Sequence, residues 1–223
     1  MCGRYTWKAT HGKKFKKLLK EPEEPPPPSY NRAPGQAHPT ISISSGSVQW
    51  QNSHWGSPKS ESSSQVFFPI NARSETVHEK PIFKDSFFQH RCLIPADGWF
   101  EWQVIEGQKY PHHIFSEMDE TFAFAGIGKI IHQQGSTRNV FSILTRSTPS
   151  NLLHIHHRAP VALTETQWEQ WLDNKQSENS LLKIMQSTQP EWTFYQVSSR
   201  VNSTRNNDSD LLIAEKGKQS VLF

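Results

Sequence analysis

Cys2, directly behind Met1 and ahead of Gly3-Arg4, has more chemistry open to it than any other residue in this 223-residue chain. Removal of Met1 would leave Cys2 as the first residue, with an amine and a thiol on neighbouring carbons. Unperturbed pKa values of about 7.7–8.0 and about 8.5 leave both groups nucleophilic fractions at neutral pH. Such a 1,2-aminothiol attacks a carbonyl twice, first forming an imine and then closing a thiazolidine ring. The plain alternative is a start codon followed by a chance cysteine, so other residues must decide.

Four further stretches set polar groups among residues that read as core. Tyr30-Asn31-Arg32-Ala33-Pro34-Gly35 reads as an Asx turn with Pro-Gly punctuation. In Ile70-Asn71-Ala72-Arg73-Ser74-Glu75 an apolar run ends in an amide, a cation and a carboxylate. That is either a helix N-cap network, or an amide that orients a reacting carbonyl beside an arginine that holds phosphate. In Ile94-Pro95-Ala96-Asp97-Gly98-Trp99-Phe100-Glu101-Trp102 a carboxylate stands between two aromatics of a strand-like run. Strand alternation puts Glu101 on the face opposite Phe100 and Trp102. It is a solvated charge if that face is open. If the face lines a cleft, desolvation raises its pKa and suits it to proton transfer. In His154-Ile155-His156-His157-Arg158-Ala159-Pro160 three histidines invite a metal reading, but no Cys or carboxylate lies at ligand spacing. One catalytic histidine with two bystanders is the other reading.

These groups must be positioned by many short strands. Ile41, Ile43, Val48 and Trp50 alternate about Ser45-Gly46, a hairpin signal. Further strand-like runs are Val66–Ile70, Arg91–Pro95, Trp99–Ile105, Tyr110–Phe115, Thr121–Ile127, Val140–Thr145, Pro160–Leu163 and Thr193–Val197. Phe15, Leu18 and Leu19 oppose a lysine face, which predicts a basic helix over 9–20. Helices are also predicted around Ile82–His90, Glu165–Asn174 and Ser177–Gln186. A Pro-rich loop at 21–29, a Ser-rich mobile loop at 56–65 and a tail at 203–223 punctuate the chain. The expected fold class is α+β: a single domain over residues 1–223 with a curled or barrel-like, mostly antiparallel sheet and a few peripheral helices.

Composition narrows the function classes. Lys and Arg exceed Asp and Glu by 24 to 21, which permits an anionic partner without demanding one. Two cysteines make no disulfide framework, so a reducing cytoplasmic setting is expected. No apolar run is long enough to span a bilayer, and no signal peptide is present.

In this order, Met1-Cys2-Gly3-Arg4-Tyr5, Tyr30-Asn31-Arg32-Ala33-Pro34, Asn71-Ala72-Arg73-Ser74-Glu75-Thr76, Arg91-Cys92-Leu93-Ile94-Pro95-Ala96-Asp97-Gly98-Trp99-Phe100-Glu101-Trp102 and Ile155-His156-His157-Arg158-Ala159-Pro160 resemble the SOS-response-associated peptidase (SRAP) family. The likeness runs from Cys2 to Val197-Ser198 and Val201-Asn202. It implies a protein that detects abasic sites in single-stranded DNA and crosslinks to them through a thiazolidine. On this match Cys2 is the nucleophile, Asn71 orients the sugar, Glu101 transfers protons and His156 is its acid–base partner. Arg4, Arg73 and Arg158 resemble the family's phosphate-contacting arginines, and Asn31 helps shape the pocket. Trp102 is the first aromatic to consider for stacking on a base. The activity implied is single-turnover crosslinking with peptidase- or lyase-type chemistry, and the peptidase name reflects self-removal of residues ahead of the cysteine, here Met1 alone. The partner implied is single-stranded DNA with abasic sites, bound by a monomer in the cytoplasm or on the nucleoid, with no cofactor, no metal and no membrane.

The chain departs from the family pattern in two places. Trp55-Gly56 is followed by Ser-Pro-Lys-Ser-Glu-Ser-Ser-Ser, where relatives carry a further tryptophan that presses against DNA. His157 and Ala159 stand where acidic and bulkier residues are usual. The same residues would also serve an N-terminal-nucleophile cysteine peptidase, and a non-covalent reader of modified DNA is the third reading.

Overall fold

The computed structural model describes residues 2–10, 12–19, 24–57, 67–118, 121–133 and 136–215. The strands are β1 (Tyr5–Trp7), β2 (Ser29–Arg32), β3 (Ala37–Ser44), β4 (Ser47–Trp55), β5 (Asn71–Arg73), β6 (Arg91–Ala96), β7 (Gly98–Ile105), β8 (Gln108–Ser116), β9 (Phe122–Gln133), β10 (Ser136–Ser147), β11 (Arg158–Pro160), β12 (Ala162–Thr164) and β13 (Trp192–Gln196). The helices are α1 (Gly12–Phe15), α2 (Pro81–Gln89), α3 (Glu165–Leu172) and α4 (Glu178–Gln186).

Two sheets divide the strands. In one, β4 pairs β3, β3 pairs β6, β6 pairs β9 and β9 pairs β10, all antiparallel, and β10 returns to β4 in parallel. Those five pairings close a ring, which removes the open edges that a curled sheet would otherwise present. β5 adds to β10 in parallel, while β11 and β12 extend β10 and β9. The other sheet is open, in the order β13-β8-β7-β1-β2. The barrel-like α+β architecture expected from the sequence is what the chain adopts.

Local chemistry explains the corners. Ser45 and Gly46 both have positive φ, 51° and 77°, as the two central residues of a tight hairpin turn require. Gly98, at the Asp97-Gly98 corner before β7, admits no side chain. A Cβ there would lie 2.5 Å from His113 Nε2 and 2.7 Å from the Ile114 carbonyl oxygen. A capping box between Thr164 and Gln167 starts α3. Trp168 of that helix stacks on Phe15 at 4.1 Å between ring centres.

Two expectations change. The basic helix over 9–20 shrinks to one α turn and a 3₁₀ turn at Lys16–Leu18, because Phe15 is pulled into the core and Gly12 abuts the Pro25 ring. The predicted tail packs against the sheet as far as Glu215. Asn207 Oδ1 accepts from the Tyr30 and Asn31 amides, and Ala214 bridges Val197. Residues 21–23 of the Pro-rich loop, 58–65 of the Ser-rich loop and 216–223 of the tail lie outside the described residues, as does Met1. No helix among the described residues is long and apolar enough to cross a membrane.

Candidate active site

The N-terminal segment is held against β7. Tyr5 and Thr6 pair with Trp99 and Gly98, and the Phe100 amide donates to the Arg4 carbonyl at 3.0 Å. The Asp97 carboxylate accepts the Lys8 amide, which fixes the other end of β1. Continuing that antiparallel register by two residues brings Gly3 opposite Glu101. The chain ahead of β1 thus runs along β7 toward the carboxylate, whose charge acts on the Cys2 thiol.

Asn71 begins β5, whose parallel pairing sets it beside Ile143. Its Nδ2 donates to the Cys2 carbonyl at 2.8 Å. That bond fixes the peptide plane of the candidate nucleophile. His156 follows the 3₁₀ turn Ser150–Leu152. Its Nδ1 lies 3.0 Å from the Arg158 amide nitrogen and 3.2 Å from the Arg158 carbonyl oxygen, so the backbone of Arg158 holds the ring through that nitrogen. Nδ1 also stands 3.9 Å from Glu101 Oε1. Four residues from four distant stretches of chain, Cys2, Asn71, Glu101 and His156, therefore meet.

Burial dominates the electrostatics. Glu101 is 3 % exposed, and desolvation pushes its pKa from 4.5 up to about 7. Burial lowers that of His156 to about 4, with the charges of His157 and Arg158 acting in the same sense. The close Glu101–His156 approach is thus no ordinary ion pair at neutral pH. The imidazole is neutral, and the carboxyl is poised between acid and base. Cys2 is 0 % exposed in the chain that still carries Met1. Its thiol pKa is raised well above the usual value, first by desolvation and then by the Glu101 charge. The thiol therefore stays protonated until a base is offered.

The expected DNA-contacting residues fall into different settings. Arg73, on β5, is exposed. Arg158 is buried and grips the Glu75 carboxylate through two bonds of 2.6 and 2.8 Å. Arg4 is half-buried, and its Nη2 donates to the Asn202 carbonyl at 3.2 Å. Trp102 lies on the face of β7 opposite Glu101, packed against the Phe100, Val197, Val201 and Leu211 cluster, and its Nε1 donates to Asn202 Oδ1 at 2.8 Å. Asn31 is buried, and its Nδ2 donates to the carbonyls of Val201, Ser203 and Asn206. Neither Trp102 nor Asn31 joins the four-residue cluster. Both instead brace the 201–206 segment that holds Arg4.

Sequence reasoning named Asn202 and Glu75 within longer motifs but did not foresee that Asn202 links Arg4 and Trp102 or that Glu75 pairs with Arg158. The Asn- and Ser-rich run that hides Asn207 reads as tail by composition. Beside Asn71, a groove of about 440 Å³ runs between Pro34, Trp55, Phe67 and Ile70, next to the undescribed 58–66 stretch. Among the described residues no three His, Cys, Asp or Glu side chains form a metal-binding group.

Residues 1–204 match the family described as SOS response associated peptidase (SRAP). The abasic site processing protein YoqW of Bacillus subtilis is 33 % identical over 227 residues, spanning 95 % of this chain and 99 % of that protein. The abasic site processing protein YedK of Escherichia coli is 27 % identical, with 95 % and 99 % covered. Among solved structures, a phage-related protein from Bordetella bronchiseptica superposes with a TM-score of 0.70 at 27 % identity, covering 88 % of this chain and 94 % of its own.

Proposed function

The chain belongs to the SOS response associated peptidase family, and we propose that it senses abasic sites in single-stranded DNA and bonds to them through Cys2 once Met1 is removed. The relatives named abasic site processing proteins support the lesion. The convergence of Cys2, Asn71, Glu101 and His156 supports the chemistry and is the single observation that carries it.

An abasic sugar is mostly a closed hemiacetal, so a proton must leave its hydroxyl and another must reach its ring oxygen before an aldehyde is available. The Glu101–His156 pair, one group poised near neutrality and the other neutral, suits that relay. The Cys2 amine then adds to the aldehyde carbon. Glu101 in its acid form protonates the resulting hydroxyl, which leaves as water, and an iminium remains with a Glu101 carboxylate. That carboxylate takes the thiol proton as sulfur bonds to the same carbon. The thiazolidine closes and Glu101 regains its proton, with one water as the only by-product. This is covalent capture without turnover. Arg4, Arg73 and Arg158 are assigned to phosphates, with Asn31 and Trp102 in support through the 201–206 segment.

A peptidase acting through a Cys2 thiolate fits less well, because burial and the neighbouring carboxylate hold the thiol neutral. Retained Met1 would lock the Cys2 nitrogen in an amide and block the first step. The test is intact-mass analysis of Met1-free protein incubated with a single-stranded oligonucleotide bearing one abasic site. The expected product is a heat-stable adduct at the summed mass less one water. No adduct with the wild-type protein, or an equal yield from protein retaining Met1, defeats the proposal.

A further inference from the structure

The ring of His157 lies nearly flat on the ring of His156, with centres 4.4 Å apart and planes 24° from parallel. Neighbours along an extended chain point to opposite sides, so the two rings meet only because the backbone bends here. That bend is pinned from both directions. The Thr148 amide donates to the His157 carbonyl at 3.2 Å, and Arg158 opens β11 with its guanidinium tied to Glu75. The two rings differ in setting. The His156 side chain is 21 % exposed and stands 3.9 Å from Glu101, whereas His157 is exposed. The inner ring thus meets the carboxyl through Nδ1, at its edge, while His157 covers one of its faces.

We infer that His157 is a further positioning residue of the site: stacked over His156, it holds that ring edge-on to Glu101 and keeps water off its face. The inference rests on the reading of His156 as the acid–base partner of Glu101. A ring held through one nitrogen can still rock about that contact, and a second ring lying on its face stops the motion. The same cover removes hydration that a charged imidazole would need, which favours the neutral form. A charge on either ring also opposes a charge on the other. Part of the burial that lowers His156 to about 4 is thus supplied by a side chain that is itself exposed. The charged and titratable groups around the pair are Glu101 from β7, Arg158 from β11 with its Glu75 partner, and the Cys2 amine of the Met1-free protein. His154, on the preceding turn, packs on Phe194 instead.

The test separates this role from that of an idle surface ring. Met1-free protein with ¹³C-labelled histidine rings is titrated by NMR without DNA, and His156→Gln identifies the His156 resonance. His157→Ala removes the covering ring at an exposed position, where the fold tolerates the loss. The His156 midpoint should rise by about one pH unit, and single-turnover crosslinking at pH 7.5 should slow roughly tenfold. His157→Phe restores a flat ring without a charge. It should bring the rate back to within about twofold of wild type and keep the midpoint nearer wild type than His157→Ala does. An unshifted midpoint or a near-wild-type rate in His157→Ala overturns the inference, as does His157→Phe behaving like His157→Ala. If the wild-type protein never crosslinks, the proposed function fails, and a midpoint that rises in His157→Ala but is held by His157→Phe still upholds the role of His157.

Discussion

The two cysteines occupy environments that look alike and behave differently. Both are free and buried, and both pack into the same apolar cluster. Burial pushes the Cys92 thiol up to about 12, and it raises the Cys2 thiol in the same direction. Cys92 lies on β6 in the barrel wall, where a Cβ on Gly126 would come within 2.8 Å of its sulfur. Burial alone accounts for its raised pKa, with no carboxylate acting on it. Cys2 has an amide bonded to its own carbonyl, a carboxyl of shifted pKa beside it and one residue ahead of it. Depth makes neither thiol a nucleophile. The neighbours, and the amine that only a first residue can own, make the difference.

The sharpest break of this comparison is to exchange the two losses. Cys2→Ala should abolish the stable adduct with abasic single-stranded DNA, and Cys92→Ala should crosslink within about twofold of wild type while losing roughly 1–2 kcal/mol of stability in urea. Denaturing gels and equilibrium melts read the two effects. Next in size, Asn71→Ala frees the Cys2 carbonyl and should slow adduct formation by roughly 10–100-fold with little change in DNA affinity. A wild-type rate would remove Asn71 from the mechanism.

The Glu101 beside Cys2, absent from the Cys92 environment, also predicts a pH signature. A carboxyl whose pKa rises from 4.5 to about 7 binds its proton more tightly when folded. Its contribution is fully present below pH 4.5 and is lost as the pH climbs through 7, by up to about 3 kcal/mol. Glu101→Gln cannot ionise, so its stability relative to wild type should rise across that window in urea melts at stepped pH. A flat difference would mean the carboxyl is better solvated than its burial implies. The smallest effect belongs to the arginines. Arg73→Ala, at an exposed side chain, should reduce the salt dependence of DNA binding by about one ion at unchanged stability. Arg158→Ala should lower both, because it also releases the Glu75 pair.

Much of the barrel was legible because alternation is a local signal. The hairpin about Ser45-Gly46, the strands from Arg91 to Thr145 and helices α2 to α4 fall close to their predicted spans. The basic helix and the tail were not legible, for a common reason. Phe15, the last residue of α1, stacks on Trp168, and Asn207 caps Tyr30 and Asn31 from 176 or more residues away. Neither partner is visible in a window of a dozen residues. Trp102 shows the same limit within the site. Alternation correctly set it opposite Glu101, yet only the packing of residues 197–211 shows that this opposite face is occupied.

Residue type and order by themselves determined the inventory: an aminothiol in waiting at Cys2, an amide, a carboxyl between aromatics, an imidazole and a strand-rich chain to carry them. Only the tertiary structure decided that β1 pairs with β7, so that Gly3 meets Glu101, and that Asn71 reaches the Cys2 carbonyl. It alone buried that carboxyl deeply enough to move its pKa to about 7. The physical reason is that reactivity depends on distance and desolvation, and both arise from contacts between segments far apart in the chain.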